Sequence, residues 1–290
     1  MKKPILKFSL LTFSALLAAC GSGSGDGLSE AEGTITKDEA ATAADSIASA
    51  FPTSIAGSAA LGAAGGLMGI DTLRTNDDEK DSCTKKEPAE LVDADDDGIP
   101  VSLKVTYDCK DVGTIKLNQS GSYSLSDKND ADKIGGFTGE MSFTSSYTQD
   151  GGFTSESTYS GKFDQTRDGA TVSGSTSYKL ENKGQVAGQE FSGVAAGMNI
   201  TYKLTGTDAN DIEKAGTAEI SGFYALSPAT VDGKPQSRVV KISSEALTYD
   251  ESCDSGYKSG TITATDGKDN KIVYTFTDCT VARTYNGEAI

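Results

Sequence analysis

A large, mainly antiparallel β-sheet is the fold class this sequence predicts, carried behind a short helical N-terminal segment. Three observations predict it. Aromatic residues concentrate late, with all eleven tyrosines beyond residue 100 and seven of the ten phenylalanines with them. Apolar and polar residues alternate with period two in that region, and turn dipeptides break the alternation at short intervals. The runs amount to about ten to twelve strands, each with one buried and one wet face. Such a sheet covers its apolar face as a curved sheet, a barrel or a sandwich, and the sequence leaves these three open.

The first nineteen residues precede any of this. Lys2, Lys3 and Lys7 make a positive start, and Ile5 to Ala19 is mostly apolar, without charge after Lys7. That run is short for a membrane-spanning helix, which needs roughly 20 apolar residues, and it suits the core of a secretory signal. It closes on Leu17-Ala18-Ala19-Cys20. This ending resembles the lipobox of bacterial lipoproteins, which implies diacylglycerol (palmitate-type acyl chains) on the Cys20 sulfur and cleavage just before it. Gly21 follows the cysteine where an aspartate would favour retention in the inner membrane, so the resemblance implies outer-membrane anchorage, on the periplasmic face or the cell surface. Gly21-Ser22-Gly23-Ser24-Gly25-Asp26-Gly27 reads as a flexible leash.

The expected organisation is therefore a signal peptide over 1–19, a lipid-anchored flexible and helical segment over 20–88, and a β domain over 89–290. Within 31–51 a helix is expected. Thr36 and Glu39 have the spacing of a capping box, and Ala40, Ala44, Ile47, Ala48 and Phe51 recur at helical spacing before Pro52. The uncharged Ala/Gly-rich stretch from Ile55 to Ile70 is read as a packed helix or stalk in preference to a second membrane contact, and Asp77 to Asp81 as a solvated linker.

In the β domain the clearest runs are Phe137 to Tyr147, Phe153 to Phe163 and Val172 to Leu180. Turns are expected at Asp150-Gly151-Gly152, Asp168-Gly169, Asn182-Lys183-Gly184, Asp208 to Asp211, Asp232-Gly233 and Asp266-Gly267.

Cys83, Cys109, Cys253 and Cys279 remain beside Cys20. An even number in an exported chain reads as two disulfides. Both Cys83 to Cys109 and Cys253 to Cys279 span 26 positions, centred on the acidic turn around Asp96 and on Asp266. The expected pairing is Cys83–Cys109 and Cys253–Cys279, two copies of one stapled hairpin, with cross-pairing as the alternative. VSLKVTYDC and KIVYTFTDC are read as matching strands ending in Asp-Cys. These features resemble a loose group of uncharacterised proteobacterial lipoproteins with Asp-rich hairpins, and that resemblance implies no activity.

Composition excludes several functions. There is no histidine, so Ser-His-Asp and Cys-His catalysis are impossible. Net charge is −16, and loss of the three signal lysines makes it more acidic, which repels nucleic acid and anionic lipid headgroups. Asp93, Asp95, Asp97 and Gly98 open like a calcium loop, but Lys104 stands where the closing acid belongs, so a solvated turn is the better reading. Asp127, Asp130 and Asp132 read as a solvated loop. The Ser82/Lys85 and Ser255/Lys258 pairs have a spacing used in acyl transfer but open no helix. No metal, no cofactor and no enzymatic activity are expected. The expected role is that of a cell-envelope lipoprotein with a non-catalytic structural or binding function, held to the membrane through Cys20, with an envelope protein or an apolar ligand as its partner. The alternative is a carrier of lipid or another apolar molecule, suggested by small and aromatic residues alternating on one face.

Overall fold

The computed structural model describes residues 28–48, 84–95, 99–110, 116–129, 135–149, 153–186, 189–212, 214–231 and 234–290. Among the described residues, thirteen strands form one antiparallel sheet in strict chain order, an up-and-down meander that is not closed into a barrel. The first five are β1 (Thr84–Glu87), β2 (Leu103–Cys109), β3 (Lys116–Asp127), β4 (Phe137–Gln149) and β5 (Phe153–Asp168). Next come β6 (Thr171–Val186), β7 (Gln189–Gly206), β8 (Ala215–Val231) and β9 (Lys234–Asp250). The last four are β10 (Tyr257–Thr265), β11 (Lys271–Thr277), β12 (Thr280–Tyr285) and β13 (Glu288–Ala289).

Each strand follows from its pattern. In β4 the odd-numbered Phe137, Gly139 and Met141 turn to the core and Thr138 and Glu140 to water, and register carries that parity across the sheet. Gly139 lies opposite Phe163 of β5, which lies opposite Thr176 of β6, which lies opposite Ile200 of β7. One face, the core face, therefore carries the large apolar side chains, with Gly, Ser and Thr between them. The other, the polar face, is mostly Ser, Thr, Glu and Lys.

Among the described residues the core face holds two buried clusters. One gathers Leu103 and Val105 of β2, Tyr123 and Leu125 of β3, Phe137 and Met141 of β4 and Phe163 of β5, under Ile99 from the β1–β2 connection. The other runs from Val172 of β6 to Tyr285 of β12. Its cover is a short helix, α1 (Ala40–Ala48), which buries Ala40, Ala43, Ala44 and Ile47 there. The helix begins where the capping box predicts. The Glu39 carboxylate accepts from Thr36 N at 3.1 Å and Thr36 Oγ1 at 2.7 Å, and a 3-10 turn at Lys37–Glu39 leads into α1.

The edges are short. β1 has four residues, carries Lys85, Lys86 and Glu87 and is followed by Pro88; charge and proline blunt an edge against further pairing. It lies ahead of the expected start of the β domain at 89. β12 and β13 join through Asn286-Gly287, both at positive φ (49° and 87°), the geometry of a two-residue hairpin turn.

Two expectations need correction. Asn182-Lys183-Gly184 is not a turn. All three residues lie inside β6, paired with Ser157, Glu156 and Ser155 on one side and Gly193, Ser192 and Phe191 on the other. Ladder bonds from two neighbours outweigh the weak turn preference of three residues. Asp278-Cys279 is not the end of a strand. β11 stops at Thr277, and Asp278 (φ 47°) and Cys279 (φ 67°) form the two-residue turn into β12. In the first copy Asp108-Cys109 does stay within β2, so the two units are not equivalent.

Candidate functional site

The N-terminal residues 28–48 form a strap that changes sides of the sheet. It starts on the polar face, where Leu28 is buried against Ala225 and Val239, with Val194 and Phe223 beside them. These are apolar exceptions on a face of hydroxyls and charges, and they give Leu28 its seat. Asn199 Nδ2 donates to Leu28 O at 3.0 Å.

The strap then passes through a notch. β10 ends at Thr265 opposite Lys241, whereas β9 continues beyond it to Lys234. Glu32 occupies the vacated edge, exchanging backbone hydrogen bonds with Val239 at 2.8 and 3.0 Å. Gly33 (φ +72°) is required there, because a Cβ would stand 2.7 Å from Ser237 O. Past the notch, Ile35 enters the core face and α1 lies down on it.

Asp266 locks this crossing. It is 2% exposed, and its carboxylate accepts four hydrogen bonds. Oδ2 takes Ile35 N at 2.7 Å and Asn270 Nδ2 at 2.9 Å, and Oδ1 takes Lys268 N at 2.8 Å and Asn270 N at 3.0 Å. One residue therefore shapes the β10–β11 turn and pins the strap. Further ties are Arg238 to Glu39 at 3.1 Å, Tyr274 OH to Ala44 O at 2.6 Å and Tyr285 OH to Ile35 O at 2.5 Å. Lys37 with Glu288 and Asp45 with Arg283 form ion pairs at the surface. The Glu39 carboxyl is held below its usual range, first by the Thr36 hydroxyl and also by Arg238. The sequence shows Asp266-Gly267 as a turn; nothing local in it shows that the carboxylate is buried against a segment 231 residues away.

Cys253 and Cys279 are bonded, with Cα atoms 5.0 Å apart. Neither lies on a strand. Cys253 sits in the β9–β10 turn and Cys279 in the β11–β12 turn, so the bond staples two neighbouring turns at one end of the sheet. Cys109, at the end of β2, is also disulfide-bonded. Its expected partner Cys83 lies outside the described residues, and so does Cys20. β1 and β2 do pair antiparallel around the acidic connection, Thr84 opposite Tyr107 and Glu87 opposite Lys104.

The other candidates are dispersed. Ser255 Oγ donates to Tyr257 O and accepts from Tyr257 N, while Lys258 pairs with Asp250 at 3.5 Å, so these two form no nucleophile–base pair. Lys85 pairs with Glu87, and Ser82 is outside the described residues. The two acidic stretches are brought near one another by backbone bonds, Val101 N to Val92 O and Asp127 N to Pro100 O. Asp127 Oδ1 accepts from Asn129 N. Asp97, Asp130 and Asp132 lie outside the described residues. Among the described residues no three acidic or cysteine side chains are placed to hold a metal ion. An open depression of about 800 Å³ at the ends of β4 to β7 is lined by polar-face side chains, including Ser146, Thr148, Glu156 and Lys183.

Between the two buried clusters, the core face carries a strip of half-buried aromatic residues. Tyr107 meets Phe143 edge-on at 6.2 Å, and Tyr159 stacks on Tyr178 at 5.7 Å and 16°. Met198 and Tyr224 continue the strip on β7 and β8. Burial pushes the Tyr159 and Tyr178 hydroxyls up in pKa. The glycines of this face do not leave hollows. A Cβ on Gly139 would stand 2.0 Å from the Phe163 ring, and one on Gly174 2.5 Å from the Tyr202 hydroxyl. Tyr202 crosses Gly174 to donate to the buried Gln165 at 2.8 Å, and burial moves its pKa up to about 12. Small residues on this face make room for rings. No protein-family model matches the chain, and no curated protein or solved structure is significantly similar to it.

Proposed function

We propose that this chain is a cell-envelope lipoprotein, exported, cut before Cys20 and lipidated there, whose β-sheet body has a non-catalytic structural or binding role at the outer membrane. The observation that carries the reading is the strap. The segment immediately after the anchor and its leash is wound through the sheet, pinned by a buried carboxylate, and ends in α1, which covers the core face. The point where the leash joins the body, Leu28, is thereby fixed to the fold instead of hanging from a loose terminus. Such coupling fixes how a tethered body presents its surface. The binding surface is the aromatic strip of the core face, whose rings supply large apolar area with little side-chain entropy to lose.

The strip also favours a second reading, a carrier of lipid or another apolar ligand. The ring-filled glycines weigh against it, because the gaps that would seat an acyl chain are occupied. Native mass spectrometry of the unlipidated full chain (Cys20→Ser), purified without detergent, separates the two. A mass equal to that of the polypeptide supports the structural or binding role, and a co-purifying lipid overturns it in favour of the carrier.

A further inference from the structure

We infer that the polar face of the sheet, around Leu28, is the surface turned to the lipid headgroups, and that the core face with its aromatic strip points away from the membrane. The inference rests on the proposed anchor at Cys20.

It follows from where the chain enters the body. Leu28 is seated on the polar face over β7, β8 and β9, near the middle of the sheet, and is fixed there by its buried side chain and by Asn199. Only Gly21 to Gly27 separate it from Cys20. Eight residue steps reach at most about 28 Å even when fully extended. The thirteen strands are about 58 Å across at ~4.8 Å spacing, and Ala225 lies about 20 Å from the end of β8 at ~3.3 Å per residue. Turning the core face to the bilayer would require the leash to run about 20 Å to a margin and then about 10 Å through the thickness of sheet and cover. That uses all of its reach. The short way through, the notch beside β9, is already filled by Glu32 and Gly33.

Charge agrees with this arrangement. The polar face interleaves carboxylates with lysines, and three such pairs bridge directly: Glu140 with Lys162 at 3.2 Å, Glu156 with Lys183 at 2.7 Å and Glu181 with Lys179 at 2.8 Å. Much of the acid excess lies in connections at the strand ends, as in Asp93 and Asp95, Asp208 and Asp211, and Asp250, Glu251 and Asp254. A hydroxyl-rich face of interleaved charges meets headgroups with less of the repulsion the net charge would otherwise impose.

The test uses the lipidated full chain in vesicles of phosphatidylethanolamine and phosphatidylglycerol that carry a headgroup nitroxide. A fluorophore is placed on Ser160→Cys, exposed on the polar face, or on Val92→Cys, exposed in the β1–β2 connection whose Leu91 and Ile99 pack on the core face, with the native disulfides kept oxidised. At least twofold stronger quenching at Ser160→Cys than at Val92→Cys is expected. Inserting about twenty Gly/Ser residues after Gly27 should remove the difference, since their flexible span is of the order of the sheet's half-width. Equal or reversed quenching in the native-leash protein overturns the orientation, and so does a difference that survives the long leash. Mass analysis of the same sample reports acylation separately. A body found without lipid on Cys20 defeats the anchor reading, whereas a lipidated one with equal quenching defeats only the orientation.

Discussion

Replacing Asp266 with alanine should destabilise this protein more than any other single substitution of a charged residue. The carboxylate is 2% exposed and accepts four hydrogen bonds between 2.7 and 3.0 Å. Hydrogen bonds to a charged group contribute about 1.5–3 kcal/mol each, but they are not additive, and water can replace those at the half-buried Lys268 and Asn270 amides. The Ile35 amide is buried, and leaving it without an acceptor costs about 1–3 kcal/mol. A total loss of about 2–4 kcal/mol follows, and at roughly 2–4 °C per kcal/mol for a domain of this size, melting should fall by roughly 5–15 °C. Asp266→Asn should recover little, because it turns an NH2 group toward the Ile35 and Asn270 donors. Urea unfolding gives the free energy, and amide exchange at Ile35 reports the lock itself. A loss below about 1 kcal/mol, with Ile35 still protected, would refute the account of how the strap is held.

Four further results are expected. Gly139→Ala should cost about 1–3 kcal/mol by overpacking, since its Cβ would meet the Phe163 ring at 2.0 Å and Ser124 O at 2.7 Å; a neutral effect in urea unfolding would contradict the ring-over-glycine packing. Removing Cys253 and Cys279 together as serines should cost about 3.5 kcal/mol in the chain-entropy picture for their separation of 26 residues, measured the same way. Non-reducing peptide mapping should join Cys109 to Cys83, and a peptide joining Cys109 to Cys20 would contradict the anchor. The depressed Glu39 carboxyl contributes stability that is complete above the ordinary glutamate range and lost as pH falls through its lower folded value. Glu39→Gln should therefore lose less stability than the parent between about pH 5 and pH 3, and an unchanged acid limb would show that Glu39 is not held as described.

The strands were legible because period two is written along the chain. Phe137 to Tyr147, Phe153 to Phe163 and Val172 to Leu180 each present the face that register assigns to the core. The helix start was legible for a similar reason, since the Thr36–Glu39 pair acts within one turn. The misreadings arose where a neighbouring strand decides. Asn182-Lys183-Gly184 carries turn residues, yet β5 and β7 both pair with it and keep it extended. Asp278-Cys279 lacks glycine and looks like the end of a strand, yet it adopts the positive φ that a tight hairpin needs. The strap, the buried role of Asp266 and the rings seated over Gly139 and Gly174 were out of reach, because each depends on contacts between segments far apart in the chain. The choice among curved sheet, barrel and sandwich depends likewise on whether the first and last strands meet, and here they do not.

The measurement that tests the central claim most directly is intact mass and N-terminal analysis of the mature protein extracted from membranes, beside its Cys20→Ser variant grown with labelled palmitate. The mature chain should begin at Cys20 and be heavier by its acyl groups, with no label in the variant. A mature protein that begins elsewhere, an unmodified Cys20, or a Cys20→Ser protein that still takes up label and stays with membranes would contradict it.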